Sequence, residues 1–273
     1  VESFVDFHWI VEFTKQIDGY RLSDYLYIPR GGKIHFGPIW DWNLSFGNAN
    51  YLDCGNSNGW YYTQISAMQH MYLRRLVGDG SASSGDPDFK QKVIDRWGEF
   101  RSGILNPSNL LARVDELTNY FNEAKDRDYT RWPRINSYIW PNPDGANTVD
   151  TSIDGTTASW NVNYATPASY SVLIGDMKKW IGGRFGWIDS LYLKAPAFSR
   201  YSGVPEAPLG MYAPTGLVYY TTDGSDPRMT GGLVSPNARI YAGSVSLPPN
   251  ARVVARVWHT NSWSPPTRAN FGD

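Results

Sequence analysis

The apolar positions Phe4, Val5, Phe7, Ile10, Val11 and Phe13 recur at helical spacing behind Ser3, which predicts an opening helix with a serine cap. The pattern runs into Ile17-Asp18-Gly19. Residues 25–28 and 33–36 then read as strands around Pro29-Arg30-Gly31-Gly32, the signature of a β-hairpin. Gly37-Pro38 ends the second strand and delivers Asp41 into a loop. The polar and aromatic run 52–62 predicts a surface loop or lid over the Asp41 region. Helical patterns follow at 64–77, 87–105 and 108–128. The third opens with the cap signal Asn106-Pro107-Ser108 and carries Leu110, Leu111, Val114, Leu117 and Phe121 on one face. Residues 78–86 predict a flexible connection, and 138–166 a long surface excursion. Helical spacing returns near Pro167 and runs to Leu191, where Gly182, Gly183 and Gly186 predict a kink.

From Ala195 onward the pattern changes. Pro and Gly become frequent, helical spacing disappears, and short strands at 217–221, 238–241, 245–247 and 253–258 predict a β-sandwich. The expected fold class is α+β, in two domains. Residues 1–194 form a mainly helical part with a small hairpin, and residues 195–273 a β-sandwich with its own small core.

A chain of 273 residues with formal net charge −1 has room for two domains and is no strongly basic nucleic-acid binder. Mean hydropathy is −0.43, and no apolar run approaches the roughly 20 residues of a membrane span. Cys54 is the single cysteine, so no internal disulfide forms and no thiolate zinc site can be built. His8, His35, His70 and His259 lack ligand spacing and read as packed or surface residues. Asp144, Asp150 and Asp154 do not match a calcium loop, and Asp223-Gly224 and Asp226-Pro227 read as tight turns. Aromatic residues are 15% of the chain, enough to fill a core and still offer rings to a glycan. Their abundance, with Gly, Asn, Ser and Thr, points to an extracytoplasmic bacterial protein.

The candidate chemistry lies in two carboxylates. Asp18 follows a helix and Asp41 follows a hairpin, between Trp40 and Trp42. A carboxylate at an element end among aromatics is costly unless it binds a cation or substrate. Phosphoryl-transfer sites use such a pair, one facing the acceptor hydroxyl and a later one holding Mg²⁺. A glycosidase would also need two carboxylates, but helices dominate 64–191 and leave no room for its barrel.

The stretches S-F-V-D-F-H-W-I-V-E-F-T-K-Q-I-D-G-Y-R-L-S-D-Y-L-Y (3–27) and G-G-K-I-H-F-G-P-I-W-D-W-N-L-S-F-G-N (31–48) resemble the most characteristic segment of the CotH kinase family, atypical secreted kinases. The resemblance implies the C-terminal, mainly helical lobe of a kinase-like fold, with ATP and Mg²⁺ as cofactors and a protein as acceptor. Asp18 would be the catalytic aspartate and Asp41 the metal ligand. Asn43 would lie on the cofactor side, as would Ser23, which stands where the usual protein-kinase loop has a metal-binding Asn. Arg184 with Trp180 and Trp187 resembles that domain's closing helix. The chain opens in the helix before Asp18 and has no G-x-G-x-x-G, so the expectation is a fragment without its nucleotide lobe, inactive alone and binding no nucleotide. The alternative is a non-catalytic adhesion, coat or envelope module contacting glycans or proteins. Residues 219–228, 235–241 and 253–258 resemble the small Ig-like domain at the C-terminus of chitobiases and hexosaminidases.

Overall fold

The computed structural model describes residues 1–66, 68–81, 84–133, 140–141 and 170–272. The surface excursion expected at 138–166, with Asp144, Asp150 and Asp154, lies almost wholly outside the described residues. In chain order the elements are α1 (Glu2–Thr14), β1 (Leu26–Tyr27), β2 (His35–Phe36), α2 (Met71–Val77), α3 (Pro87–Ser102), α4 (Pro107–Tyr120), α5 (Asn122–Arg131) and α6 (Tyr170–Leu191). There follow β3 (Ala197–Phe198), β4 (Met211–Tyr212), β5 (Leu217–Thr221), β6 (Arg239–Ile240), β7 (Arg252–His259), β8 (Ser262–Trp263) and β9 (Thr267–Asn270). The architecture is α+β. The chain divides into two compact units, residues 1–85 with 101–190, and residues 86–100 with 191–273.

In the first unit α1 is central. Val5, Phe7, His8, Trp9, Val11, Glu12, Phe13 and Thr14 are all buried, so α1 is enclosed on every side rather than along one stripe. Its cap differs from expectation: Val1 occupies the N-cap position without a side-chain bond, and Ser3 lies inside the first turn. Rings fill the space around it. Phe7 stacks on Phe36 at 4.3 Å between centroids, Phe13 meets Phe185 at 4.9 Å, and Tyr20 stacks on Tyr61 at 5.7 Å. The hairpin forms as expected, with Leu26 opposite Phe36 and Tyr27 opposite His35.

The helices are shorter or more broken than the periodicity suggests. The 64–77 pattern yields only α2, because Tyr61–Thr63 form a 3₁₀ turn and the chain between is irregular. The 108–128 pattern splits into α4 and α5 at Phe121, whose φ of −86° and ψ of 0° leave the helical region. Asn106 caps α4 as read, its side chain accepting from the Ser108 N–H. α6 runs through its glycines as one helix, burying Trp180, Ile181, Arg184, Phe185 and Ile188 along one face.

In the second unit the order β6-β5-β7-β8, with β9 also on β7, makes one five-stranded antiparallel sheet, and β3–β4 make a separate ladder. β5 matches its expected span, whereas 245–247 contributes only a bridge from Val245 to Leu209. Val253, Ala255 and Val257 of β7 join Phe198, Leu209, Met211 and Phe271 in one core. Arg256, at an alternate position of β7, reaches α3. Arg256 donates to both Asp95 oxygens at 2.6 and 2.7 Å, and Gln91 donates to the Ser264 carbonyl at 3.3 Å. A Cβ at Gly98 would lie 2.6 Å from Pro265 Cβ, so α3 approaches as closely as it does only because that position is glycine.

Candidate functional site

α1 ends at Lys15, whose φ of 50° turns the chain left-handed and starts the segment that carries Asp18. That segment is bound to the Asp41 loop along its length. Phe46 N–H donates to the Thr14 carbonyl at 2.7 Å and Ile17 N–H to the Leu44 carbonyl at 3.2 Å. Trp42 Nε1 donates to Thr14 Oγ1 at 2.9 Å. Gln16, fully buried, completes the link: its Oε1 accepts from the Asp18 N–H at 3.1 Å and its Nε2 donates to the Asp41 carbonyl at 2.5 Å. One side-chain amide therefore touches the backbones of both aspartates.

The sequence-derived candidates divide by exposure. Asp41 and Asn43 are exposed, and Asp41 holds a positive φ of 60°, uncommon for a non-glycine residue. Asn43 accepts from Asn48 Nδ2 through its carbonyl at 2.9 Å, which tightens the loop. Asp18 is partly buried and ion-paired with Arg21 at 2.9 Å, and Arg21 also donates to the Ile17 carbonyl at 3.1 Å. Tyr51 and Tyr61 lie beside the same guanidinium: burial raises the pKa of both phenols, and Arg21 works in the opposite sense. Ser23 is buried, and its N–H closes the turn onto the Asp18 carbonyl at 2.9 Å. Among the sequence-derived candidates Ser23 is thus buried while Asp41 and Asn43 are exposed. Gly19 fits close under α1, where a Cβ would meet both Val11 methyls at 2.7 and 2.8 Å.

The 52–62 run is not a lid. Lys15 Nζ, fully buried, donates to Asp53 Oδ2 and to the Asn56 and Asn58 carbonyls at 2.8–2.9 Å. Arg184 Nη1 donates to the Ser57 and Gly59 carbonyls, both at 2.7 Å, while its Nε and Nη2 reach the Glu12 carbonyl. Glu12 accepts the Tyr61 and Tyr62 N–H groups at 2.8 and 3.0 Å, and the Tyr61 hydroxyl donates to the Ile17 carbonyl. An irregular segment with many unpaired carbonyls is thus drawn into the core by two cations and one carboxylate. Burial raises the Glu12 carboxyl, against which Arg184, the two N–H groups and Tyr20 all pull. Burial also pushes the Cys54 thiol up to about 12, which keeps it neutral and unreactive.

Sequence reading missed Glu12, Lys15, Gln16 and Tyr61. For Glu12, Lys15 and Gln16 the available signal was a polar residue in or just after an otherwise apolar helical stripe, whereas Arg184 was picked out by the resemblance alone. Among the described residues no group of three or more His, Cys, Asp or Glu side chains could by itself hold a metal ion. Asp41 and Asn43, both exposed, offer one carboxylate and one amide. That set fits Mg²⁺, which binds through one or two carboxylates and takes its remaining ligands from phosphates and water.

The family model described as CotH kinase protein matches residues 1–184, two thirds of the chain, including Asp18 and Asp41 and ending at Arg184 within α6. The chain belongs to the CotH kinase family. No curated protein sequence matches it. In this CotH family member both aspartates stand on loops fastened to the end of α1, and no described helix is long and apolar enough to cross a membrane.

Proposed function

We propose that the first unit carries the phosphoryl-transfer site of a CotH-type protein kinase acting outside the bacterial cytoplasm, with ATP as donor and a protein hydroxyl as acceptor. The observation that carries this reading is the Gln16 amide joining Asp18 and Asp41. It brings a partly buried, ion-paired carboxylate and an open one to the same end of α1. Asp41, with Asn43 beside it, would hold Mg²⁺, which when bound offsets the charge of the nucleotide phosphates. Asp18, oriented by Arg21, would accept the proton of the acceptor hydroxyl as its oxygen bonds to the terminal phosphorus and ADP leaves. Leu26, Tyr27 and Ile28, all about half exposed or more, offer an apolar surface on the intervening hairpin for the nucleotide base. In the second unit we propose a chitobiase-type Ig-like accessory domain without chemistry of its own.

Against the expectation drawn from the missing glycine-rich loop, this reading has the 273-residue chain itself bind Mg²⁺–ATP through Asp41, and calorimetric titration with ATP, with and without Mg²⁺, decides between the two. Asp41→Asn is expected to abolish the Mg²⁺-dependent part of binding without unfolding the chain. Asp18→Ala is expected to keep binding and lose transfer to an acceptor protein. Nucleotide binding indifferent to Mg²⁺, or unchanged by Asp41→Asn, would remove the metal role. The exposed rings of Tyr25, Tyr27 and Trp40 support a second reading, a binding module for glycans or proteins. Ligand capture that survives both substitutions, with no transfer by the unaltered chain, would favour it.

A further inference from the structure

We infer that Gln16 is the positioning residue of this site, and that its amide sets the register between the proton-accepting and metal-holding carboxylates. The inference rests on the phosphoryl-transfer reading above and goes beyond it, since Gln16 touches neither substrate nor metal. Three observations carry it. First, Gln16 is fully buried, so its amide stays in the core only because both ends are bonded. Its Oε1 and Nε2 are used in opposite senses, accepting from Asp18 N–H and donating to Asp41 O. An amide of this length supplies a donor and an acceptor on one planar group without any change of protonation.

Second, the two aspartates are held at the backbone, leaving both carboxylates free of the clamp. Asp18 has its carboxylate on Arg21, and the Asp41 side chain is exposed. Gln16 therefore fixes where the carboxylates start from without competing for what they bind. Third, Asp41 sits in the left-handed region at φ 60°, which Asp adopts more readily than most residues but which is still less favourable than an ordinary backbone. The bond to its carbonyl helps hold it there, so losing Gln16 frees the Asp41 backbone to shift relative to that of Asp18.

The neighbouring Lys15 supplies the control. It belongs to the same turn and is as deeply buried, but its ammonium fastens the 53–58 loop and does not touch either aspartate. The experiment uses the 273-residue chain and two variants, Gln16→Met and Lys15→Met, the first close to the native shape without its hydrogen bonds. Two quantities are read on folded protein: the affinity for ATP with Mn²⁺, followed by the electron paramagnetic resonance of free Mn²⁺, and exchange of the Asp18 amide proton by NMR. Gln16→Met is expected to weaken Mn²⁺–ATP binding about tenfold, the scale of one lost buried hydrogen bond, and to accelerate Asp18 exchange. Lys15→Met is expected to lower the midpoint of thermal unfolding while leaving both quantities as in the unaltered chain.

If Gln16→Met does not fold, Gln16→Asn replaces it: the amide is kept but is one methylene too short to reach both backbones, so affinity falls while the buried polar group is retained. Mn²⁺–ATP affinity unchanged in the Gln16 variant, or lowered equally by Lys15→Met, would overturn the clamp and leave the site reading standing. No Mn²⁺–ATP binding by the unaltered chain would instead bring down the site reading, and the clamp with it.

Discussion

Among the described residues each unit buries one arginine completely, and the two are neutralised in different ways. Arg184 in the first unit spends four donor contacts on backbone carbonyls, those of Glu12, Ser57 and Gly59, and stands 3.7 Å from the Glu12 carboxylate. Arg256 in the second unit meets Asp95 on α3 and Asp226 in the turn after β5, with a single carbonyl, Ser264, completing its five N–H groups. Burial works against the Arg256 charge, but the two carboxylates more than offset it and hold its pKa above the ordinary value. Arg256 joins elements that are already regular. Arg184 organises chain that has no regular structure of its own. Side-chain partners can be exchanged by mutation and carbonyls cannot, so the first unit's arginine should be the harder one to replace.

The largest expected effect follows directly. Arg184→Met strands the Glu12 carboxylate and several buried carbonyls, and is expected to cost about 3–5 kcal/mol in chemical denaturation. Arg184→Lys should recover little, because one ammonium cannot span carbonyls on two segments. A loss below about 1 kcal/mol would erase the distinction between the units. The next test sharpens it. Arg256→Met alone is expected to cost about 3 kcal/mol, whereas Asp95→Leu, Asp226→Leu and Arg256→Met together should return to within about 1–2 kcal/mol of the parent. The corresponding double change in the first unit, Glu12→Leu with Arg184→Met, should remain at least about 3 kcal/mol below it.

Acid separates the units more gently. His8 is buried against Tyr20, and burial, then Arg184, lowers its pKa to about 3. The folded state therefore binds fewer protons than the unfolded state between pH 6.5 and about 3, and stability falls as pH drops through that window. The His8 contribution is about 1.4 kcal/mol per pH unit. Glu12, raised by burial, opposes it, so His8→Phe should flatten or reverse the slope. In the second unit burial works against the Asp226 charge, but Arg256 prevails and holds its pKa below the usual carboxylate value. Its contribution is intact above about pH 4 and is lost only on further acidification. Amide exchange at pH 5 should thus rise in α1 before it rises in β7. The smallest effect is expected at Gly98: alanine there would favour the helix but press on Pro265, for a net loss of about 1 kcal/mol by thermal unfolding.

What the sequence made legible depended on whether partners were local. The hairpin and the Asn106 cap are set by neighbours a few residues away, and they stand where the pattern put them; β5 also does, its alternation surviving although its partners β6 and β7 lie far along the chain. α2 is shorter than its periodicity because Tyr61 and Tyr62 give their N–H groups to Glu12, 49 and 50 residues earlier. The run 52–62 looked like a lid because it is polar, but its polar backbone is satisfied inside the core by Lys15 and Arg184. For the candidate site, spacing pointed to Asp18 and Asp41 and gave no hint of Gln16. An amide bridging residues 18 and 41 leaves no periodic trace.

Residues 86–100 lie between two stretches of the first unit in sequence, yet they pack with residues 191–273. The chain therefore passes between the units at three places, and no single cut divides them. A gene fusion that exchanged everything after residue 190 would leave Asp95 behind in one parent and bring Arg256 from another. The C-terminal part of this chain is thus inherited as a discontinuous module. Any recombinant that keeps it must carry the α3 coding segment with it, or restore by compensating substitution the charge that α3 supplies.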